Sequence, residues 1–170
     1  MARGKSHDKK ERKASLMEDK KFLKMAVEQA KKSVDQGGFP AGAVVVKDGK
    51  VISEGISIGD QLHDPTEHAE TSSIRKACKF LGSRYIEGAI LYESLECCNM
   101  CFLVAYHARI SRIVFACRKT QAMVEKSYYE GKTTNESINQ SNNRKVELVF
   151  VPDFEQESLK IVKEWEEKQV

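Results

Sequence analysis

Strands alternating with helices, an Asp-Gly hairpin near the front and a closing apolar-striped helix predict an α/β fold for this chain, with a mixed sheet covered on both faces. Its 170 residues suit one domain with a proper core and would be cramped for two. Ser15-Leu16-Met17-Glu18 has the form of a capping box, in which hydroxyl and carboxylate satisfy each other's orphan amides. From there Phe22, Leu23, Ala26, Val27 and Ala30 recur at helical spacing to about Asp35, and Gly37-Gly38 stops the helix.

The apolar run at 43–46 predicts a strand, Lys47-Asp48-Gly49-Lys50 a tight hairpin, and 51–56 the antiparallel return. A loop holding Asp64-Pro65-Thr66 leads to a helix over 67–81, with Thr66 or Asp64 near its cap. Residues 89–92 form a third strand, a helix follows from Cys98 to about Ala108, and 112–117 is a fourth strand. Segment 118–144 has no clear period and is read as short helices followed by an Asn-rich turn at 139–143. Residues 146–151 make the fifth strand. The last helix starts after Pro152-Asp153 and shows Phe154, Leu159, Ile161, Val162 and Trp165.

Composition excludes several classes. No apolar run approaches the ~20 residues that span a bilayer, so no membrane partner is expected. The N-terminus is charged without an apolar stretch, which is not a secretory signal. Five cysteines, an odd number with two adjacent, make a poor disulfide framework and point to reduced thiols in the cytoplasm. The net charge of +3 divides into +6 over residues 1–32 and −3 over the rest. Residues 1–14 are therefore read as a basic arm and 15–170 as the single domain. The arm is either a solvated, frayed terminus or a contact for nucleic acid.

The chemistry lies in His68-Ala69-Glu70 and Cys98-Asn99-Met100-Cys101. One imidazole and two thiols make three ligands for a zinc ion, which leaves a place for water, and Glu70 is free to move protons. Both motifs fall at predicted helix starts. There, residues two apart lean toward one site off the helix end, and the helix dipole favours thiolates. A lone C-x-x-C could be a redox pair, and a lone H-x-E means little; the combination favours zinc. Cys78 and Cys117 are read as buried apolar residues, and His63 and His107 as loop and helix-surface residues.

H-x-E followed by P-C-x-x-C is the signature of zinc nucleobase deaminases, and the chain resembles the cytidine-deaminase-like superfamily. Within it, 63–83 is similar to bacterial guanine deaminases, and 107–116 is more similar to tRNA adenosine deaminases. Pro40-Ala41-Gly42-Ala43 matches a stretch that both groups carry. The resemblance runs from about Phe22 to Arg118. It implies a three-layer α/β/α sandwich with a mixed five-stranded sheet, commonly a homodimer. It also implies zinc on His68, Cys98 and Cys101, with Glu70 as the proton shuttle of a hydrolytic deamination.

Three departures stand out. Cys97 occupies the place of the family's proline. Ser57 stands where many relatives hold substrate with Asn, and a hydroxyl lacks the amide's paired donor and acceptor. Ala41 replaces a frequent Phe, and the GFDD-like segment is missing. Ser57, Ala69 and Ala41 are the expected substrate contacts. The acidic ending KEWEEKQV and the lack of interleaved aromatics in the basic arm disfavour RNA. The expected substrate is thus a small nucleobase, nucleoside or related aminoheterocycle, with a guanine-like purine first. A tRNA adenosine comes next, then a cytosine-type base or a non-catalytic zinc protein.

Overall fold

The computed structural model describes residues 3–169, with side chains from Ser15 to Gln169. Helix α1 (Arg3–Asp35) leads into strands β1 (Phe39–Lys47) and β2 (Lys50–Ser57), a short α2 (Gly59–Leu62) and α3 (Ala69–Leu81). Strand β3 (Ile90–Glu93), α4 (Asn99–His107) and β4 (Arg112–Phe115) follow. The short helices α5 (Gln121–Glu125) and α6 (Asn135–Ser141), β5 (Glu147–Phe150), a 3-10 turn (Pro152–Phe154) and α7 (Glu155–Lys168) complete the chain. Among the described residues no helix is long and apolar enough to cross a membrane.

The sheet order is β2-β1-β3-β4-β5, with β1 antiparallel to both its neighbours and β3, β4 and β5 parallel. Alternation along each strand sends side chains to two separate cores. Val44, Val46, Tyr92 and Val114 pack with Phe22, Leu23, Ala26 and Ile161 of α1 and α7. Ala43, Val45, Leu91 and Ile113 pack with Ile74, Ala77, Phe102 and Ala105 of α3 and α4. This is the three-layer sandwich with five strands that the sequence implies.

The hairpin between β1 and β2 has Asp48 and Gly49 at φ 51° and 71°, as a tight primed turn demands. Helix α1 closes as expected at the two glycines, where Gly38 N donates to Ser33 O (2.8 Å) and Gly37 N to Val34 O (3.0 Å).

Three boundaries differ from expectation. Ser15 does not cap a helix, because α1 already runs from Arg3 and preceding carbonyls satisfy its amides. The Lys-, Arg- and Glu-rich sequence ahead of Ser15 favours helix, so the box has no end to close. Neither Thr66 nor Asp64 caps α3: Asp64 Oδ1 accepts from Thr66 N (2.8 Å) and Thr66 Oγ1 (2.7 Å), and His68 holds the cap position. The Asn-rich turn is shorter than expected, since α6 continues through Ser141.

Close backbone approach sets where α1 and α3 lie on the sheet. A Cβ at Gly42 would stand 2.2 Å from Ala30 N, and one at Gly55 would stand 1.9 Å from Ala69 O. The second contact seats the first turn of α3, beside His68, directly on β2. Across the sheet, Arg112 donates from Nη1 and Nη2 to Asp19 Oδ1 and Oδ2 (2.6 and 2.9 Å), and Tyr92 Oη donates to Asp19 Oδ1 (2.9 Å). That buried fork fixes α1 to β3 and β4.

Gly55→Ala must push α3 off β2, and overpacking of this kind costs about 1–3 kcal/mol. Chemical denaturation should show that loss; a change within about 0.5 kcal/mol, the scale of an ordinary surface substitution, would mean α3 does not depend on the contact.

Candidate active site

Two helix starts face each other over the sheet. His68 is the residue before α3, at φ −80° and ψ 156°, and Cys98 is the residue before α4, at φ −68° and ψ 166°. In each case the extended residue turns its side chain off the helix end. Glu70 and Cys101 then follow in the first turns. Spans of three and four residues thus deliver four functional groups to one place, because both helices start on the same face of the sheet.

One ligand atom each from His68, Cys98 and Cys101 lies within 4.8 Å of the others. Cys98 Sγ is 3.6 Å from His68 Nδ1. Tetrahedral ligands at zinc's usual bond lengths stand about 3.3–3.8 Å apart, so the imidazole and thiol are already at ligand spacing. The donor set, one nitrogen and two sulfurs, suits zinc and leaves a fourth place open. Thr71 Oγ1 lies 3.3 Å from Cys101 Sγ and can steady that sulfur from outside the set.

The site's electrostatics suit a cation. The hydrogen bond from Cys101 first, then that with His68, lowers the Cys98 thiol to about 5. The same bond and burial push Cys101 well up. A metal ion bound here would displace any proton the two sulfurs carry, since thiols ligate as thiolates. His68 is raised, by its bond with Cys98 foremost. Glu70 is 4% exposed. Burial, and after it the negative charge of Cys98, pushes its carboxyl up to about 7.

Beside these residues opens a cleft of about 960 Å³. Ser57 and Ala41 line it, as expected. Ser57 is held by Ser33, whose Oγ accepts from Ser57 N (3.0 Å). Ala69 does not line the cleft; it is fully buried, and its carbonyl lies against Gly55. His63 does line it, from a left-handed turn at φ 52°, whereas His107 is exposed on α4. Cys117 is buried as expected, but Cys78 is only half-buried on α3, because its helix turn reaches the edge of the core.

Sequence reasoning missed most of the outer wall. Phe39 of β1, Tyr128 after α5 and Trp165 of α7 meet edge to face, with ring centroids 5.2–5.7 Å apart. Tyr129 donates to Glu96 O (2.7 Å), and Glu130 Oε1 accepts from Met100 N (3.4 Å) at the start of α4. Burial would raise Glu130, but backbone and side-chain hydrogen bonds hold it below its ordinary value. The dense run Ser127-Tyr128-Tyr129-Glu130 was the one available signal in a segment without periodicity.

Comparison with known proteins agrees with this geometry. The family described as the cytidine and deoxycytidylate deaminase zinc-binding region matches residues 16–117. A tRNA-specific adenosine deaminase of Aquifex aeolicus (strain VF5) is 41% identical over 95 residues, 56% of this chain and 63% of that one, so the match spans under two thirds of that relative. The guanine deaminase of Bacillus subtilis (strain 168) is 46% identical over 107 residues, 62% and 69% of the two chains. The solved guanine deaminase from Bacillus subtilis has a TM-score of 0.61 at 36% identity, covering 87% of this chain and 93% of its own. A structure from work on A-to-I editing by tRNA:A34 deaminases has a TM-score of 0.72 at 29% identity, covering 84% and 99%.

The site makes a metal prediction. Purified protein should carry about one zinc per chain. Cys98→Ala or Cys101→Ala should abolish it, and Glu70→Gln should leave it in place. Elemental analysis decides the matter, and zinc retained by both cysteine variants would refute the ligand set.

Proposed function

The chain belongs to the cytidine and deoxycytidylate deaminase zinc-binding family, and from that premise we propose that it hydrolytically deaminates a small, uncharged aminoheterocycle, a guanine-like purine foremost. The observation that carries the substrate class is the charge of the cleft. Asp60, Asp64, Glu70, Glu96 and Glu130 line it, and among the described lining residues there is no Lys or Arg. A phosphate brought here meets carboxylates, each repelling by about 1–4 kcal/mol at contact range, depending on local water. Carboxylates also accept hydrogen bonds only. A free guanine offers N–H donors on its rings besides its amino group. Adenosine, substituted at N9 and with an acceptor at N1, offers fewer.

His68, Cys98 and Cys101 hold the zinc in this reading. Bound there, zinc supplies a Lewis acid that lowers the pKa of a coordinated water toward neutrality. Glu70 does the proton work. Its carboxylate takes a proton from the attacking water and gives it to the ring nitrogen beside the carbon under attack, then takes the second proton from the new hydroxyl on that carbon and gives it to the leaving amine. The amino-bearing carbon gains oxygen, and ammonia departs. The edge-to-face wall of Phe39, Tyr128 and Trp165 excludes water from one side of the cleft.

An ammonia-release assay over bases, nucleosides and nucleotides tests the substrate class. The best free base should exceed its 5′-monophosphate in kcat/KM by at least about tenfold, the worth of roughly one such repulsion. Joint replacement Asp64→Asn and Glu130→Gln should narrow that gap; a preferred nucleotide would sink the proposal. Glu70→Gln should lower kcat by about 10²–10⁴-fold while zinc stays bound.

A tRNA adenosine is the second reading, favoured by the 41% identity to the Aquifex aeolicus enzyme. It predicts that a chain lacking residues 1–13 binds RNA more weakly and with a flatter salt dependence. A homodimer belongs to the proposal as well, supported by the exposed apolar side chains Phe80 of α3 (72% exposed) and Leu103 of α4. Light scattering that returns 19.2 kDa would remove that part.

A further inference from the structure

The turn from β3 to α4, residues 94–98, carries Cys98 and is tied down residue by residue. Ser94 N donates to Gly42 O (3.0 Å), Glu96 N to Cys117 O (2.7 Å) and Tyr129 Oη to Glu96 O (2.7 Å). Asn135 Nδ2 donates to Cys97 O (2.8 Å) and is itself oriented by Asn99 Nδ2, which donates to Asn135 Oδ1 (3.0 Å). A further group of this turn is the Cys97 amide, one residue before the metal-ligand position.

That amide exists because this chain has Cys97 where the P-C-x-x-C signature of zinc deaminases has proline, which has no N–H and a fixed φ. Here Cys97 N donates to Glu93 Oε2 (3.1 Å). Glu93 is the last residue of β3 and is 0% exposed. It pairs with Ala43 and Phe115 in the sheet, and by alternation it shares a face with Leu91, beneath α3 and α4. Its other oxygen, Oε1, is buried with no partner among the described residues. Burial first, and then the charge of Glu70, holds the carboxyl well above the usual range. A carboxyl buried at such cost for a single hydrogen bond needs a reason, and Cys97 supplies it.

We propose that Glu93 is a positioning residue for the metal turn: it captures the amide exposed by the loss of proline and so restores the restraint that the ring would have given. Positions 93 and 97 then act as one unit. An acceptor at 93 is needed when 97 has an amide hydrogen, and an apolar residue at 93 is needed when 97 is proline.

Zinc affinity, read by competition with a chromophoric chelator and without any substrate, tests the pairing independently of the deaminase reading. Glu93→Leu and Cys97→Pro should each weaken zinc binding by about 10–100-fold, the usual effect of losing an outer partner. The double variant should bind no worse than either single one. Glu93→Gln, which keeps an acceptor, should stay within a few-fold of the parent. The visible bands of the cobalt-substituted protein should shift in Glu93→Leu and not in Glu93→Gln. Independent, multiplying losses in the double variant would overturn the proposal, as would unchanged affinity and bands in Glu93→Leu. If Glu93→Leu does not fold, Cys97→Ala and Cys97→Pro decide: alanine keeps the amide and should bind zinc normally, proline should not, and equal affinities would refute the coupling.

Discussion

Three donors from two separate motifs share one ion only if two helix N-termini are held within a few ångströms of each other, and the sheet does the holding. Helix α3 rises from the edge strand β2 and α4 from the inner strand β3, with β1 between those strands. Both helices lie on one face and start at the same end. Gly55 sets the height of the first by admitting the Ala69 carbonyl, and the bonded turn 94–98 sets the second. Sheet order, crossover length and one missing Cβ are thus prior to any chemistry. Neither helix gains from this arrangement by itself, because their positive ends repel. Thiolates between them remove that repulsion, and a cation then balances the thiolates.

The site is also a concentration of buried acid. Glu70, Glu93, Cys97, Cys98 and Cys101 all lie below 9% exposure within two short spans. Burying charge without compensation is prohibitive, so such groups neutralise by taking protons or by finding a partner. Burial holds Glu93 and Cys97 well above their ordinary ranges, Cys98 is lowered to about 5 while Cys101 is raised, and Glu70 is raised to about 7. Dividing the acids this way leaves one carboxyl able to change its state near neutral pH. A proton carrier needs that property, and it arises from burial beside a thiolate pair.

The ligand set was legible because each half is local. H-x-E and C-x-x-C place their groups within one helical turn, and the strand-to-helix reading put each at a helix start. Strands were legible as short apolar runs between turn signals, so β1 through β5 appear where expected within a few residues. What stayed hidden depends on distant pairs. Arg112 meets Asp19 across 93 positions, and Trp165 meets Phe39 and Tyr128 from opposite ends of the chain. Neither pairing leaves a periodic trace. Ser15-Leu16-Met17-Glu18 misled for the converse reason: a capping box is a local signal, and it has meaning only where the preceding turn is absent.

Substrate selectivity follows from the second kind of residue. In the proposed reaction the metal ligands and Glu70 would act alike on any amino-bearing ring carbon brought to them, so they would not choose among bases. Choice falls to groups that reach the cleft from elsewhere: Ser57 at the end of β2, Ala41 on β1, Glu130 beyond α5 and the aromatic wall. Shortening the side chains at 41 and 57 opens room on the sheet side. Tyr128 and Trp165 close it from the opposite side, and carboxylates take up the polar work without an amide. On the proposed reading, a ligand suited to these walls is flat, rich in N–H donors and free of anionic groups. That description comes from the walls, and it narrows the substrate in a way the metal centre cannot.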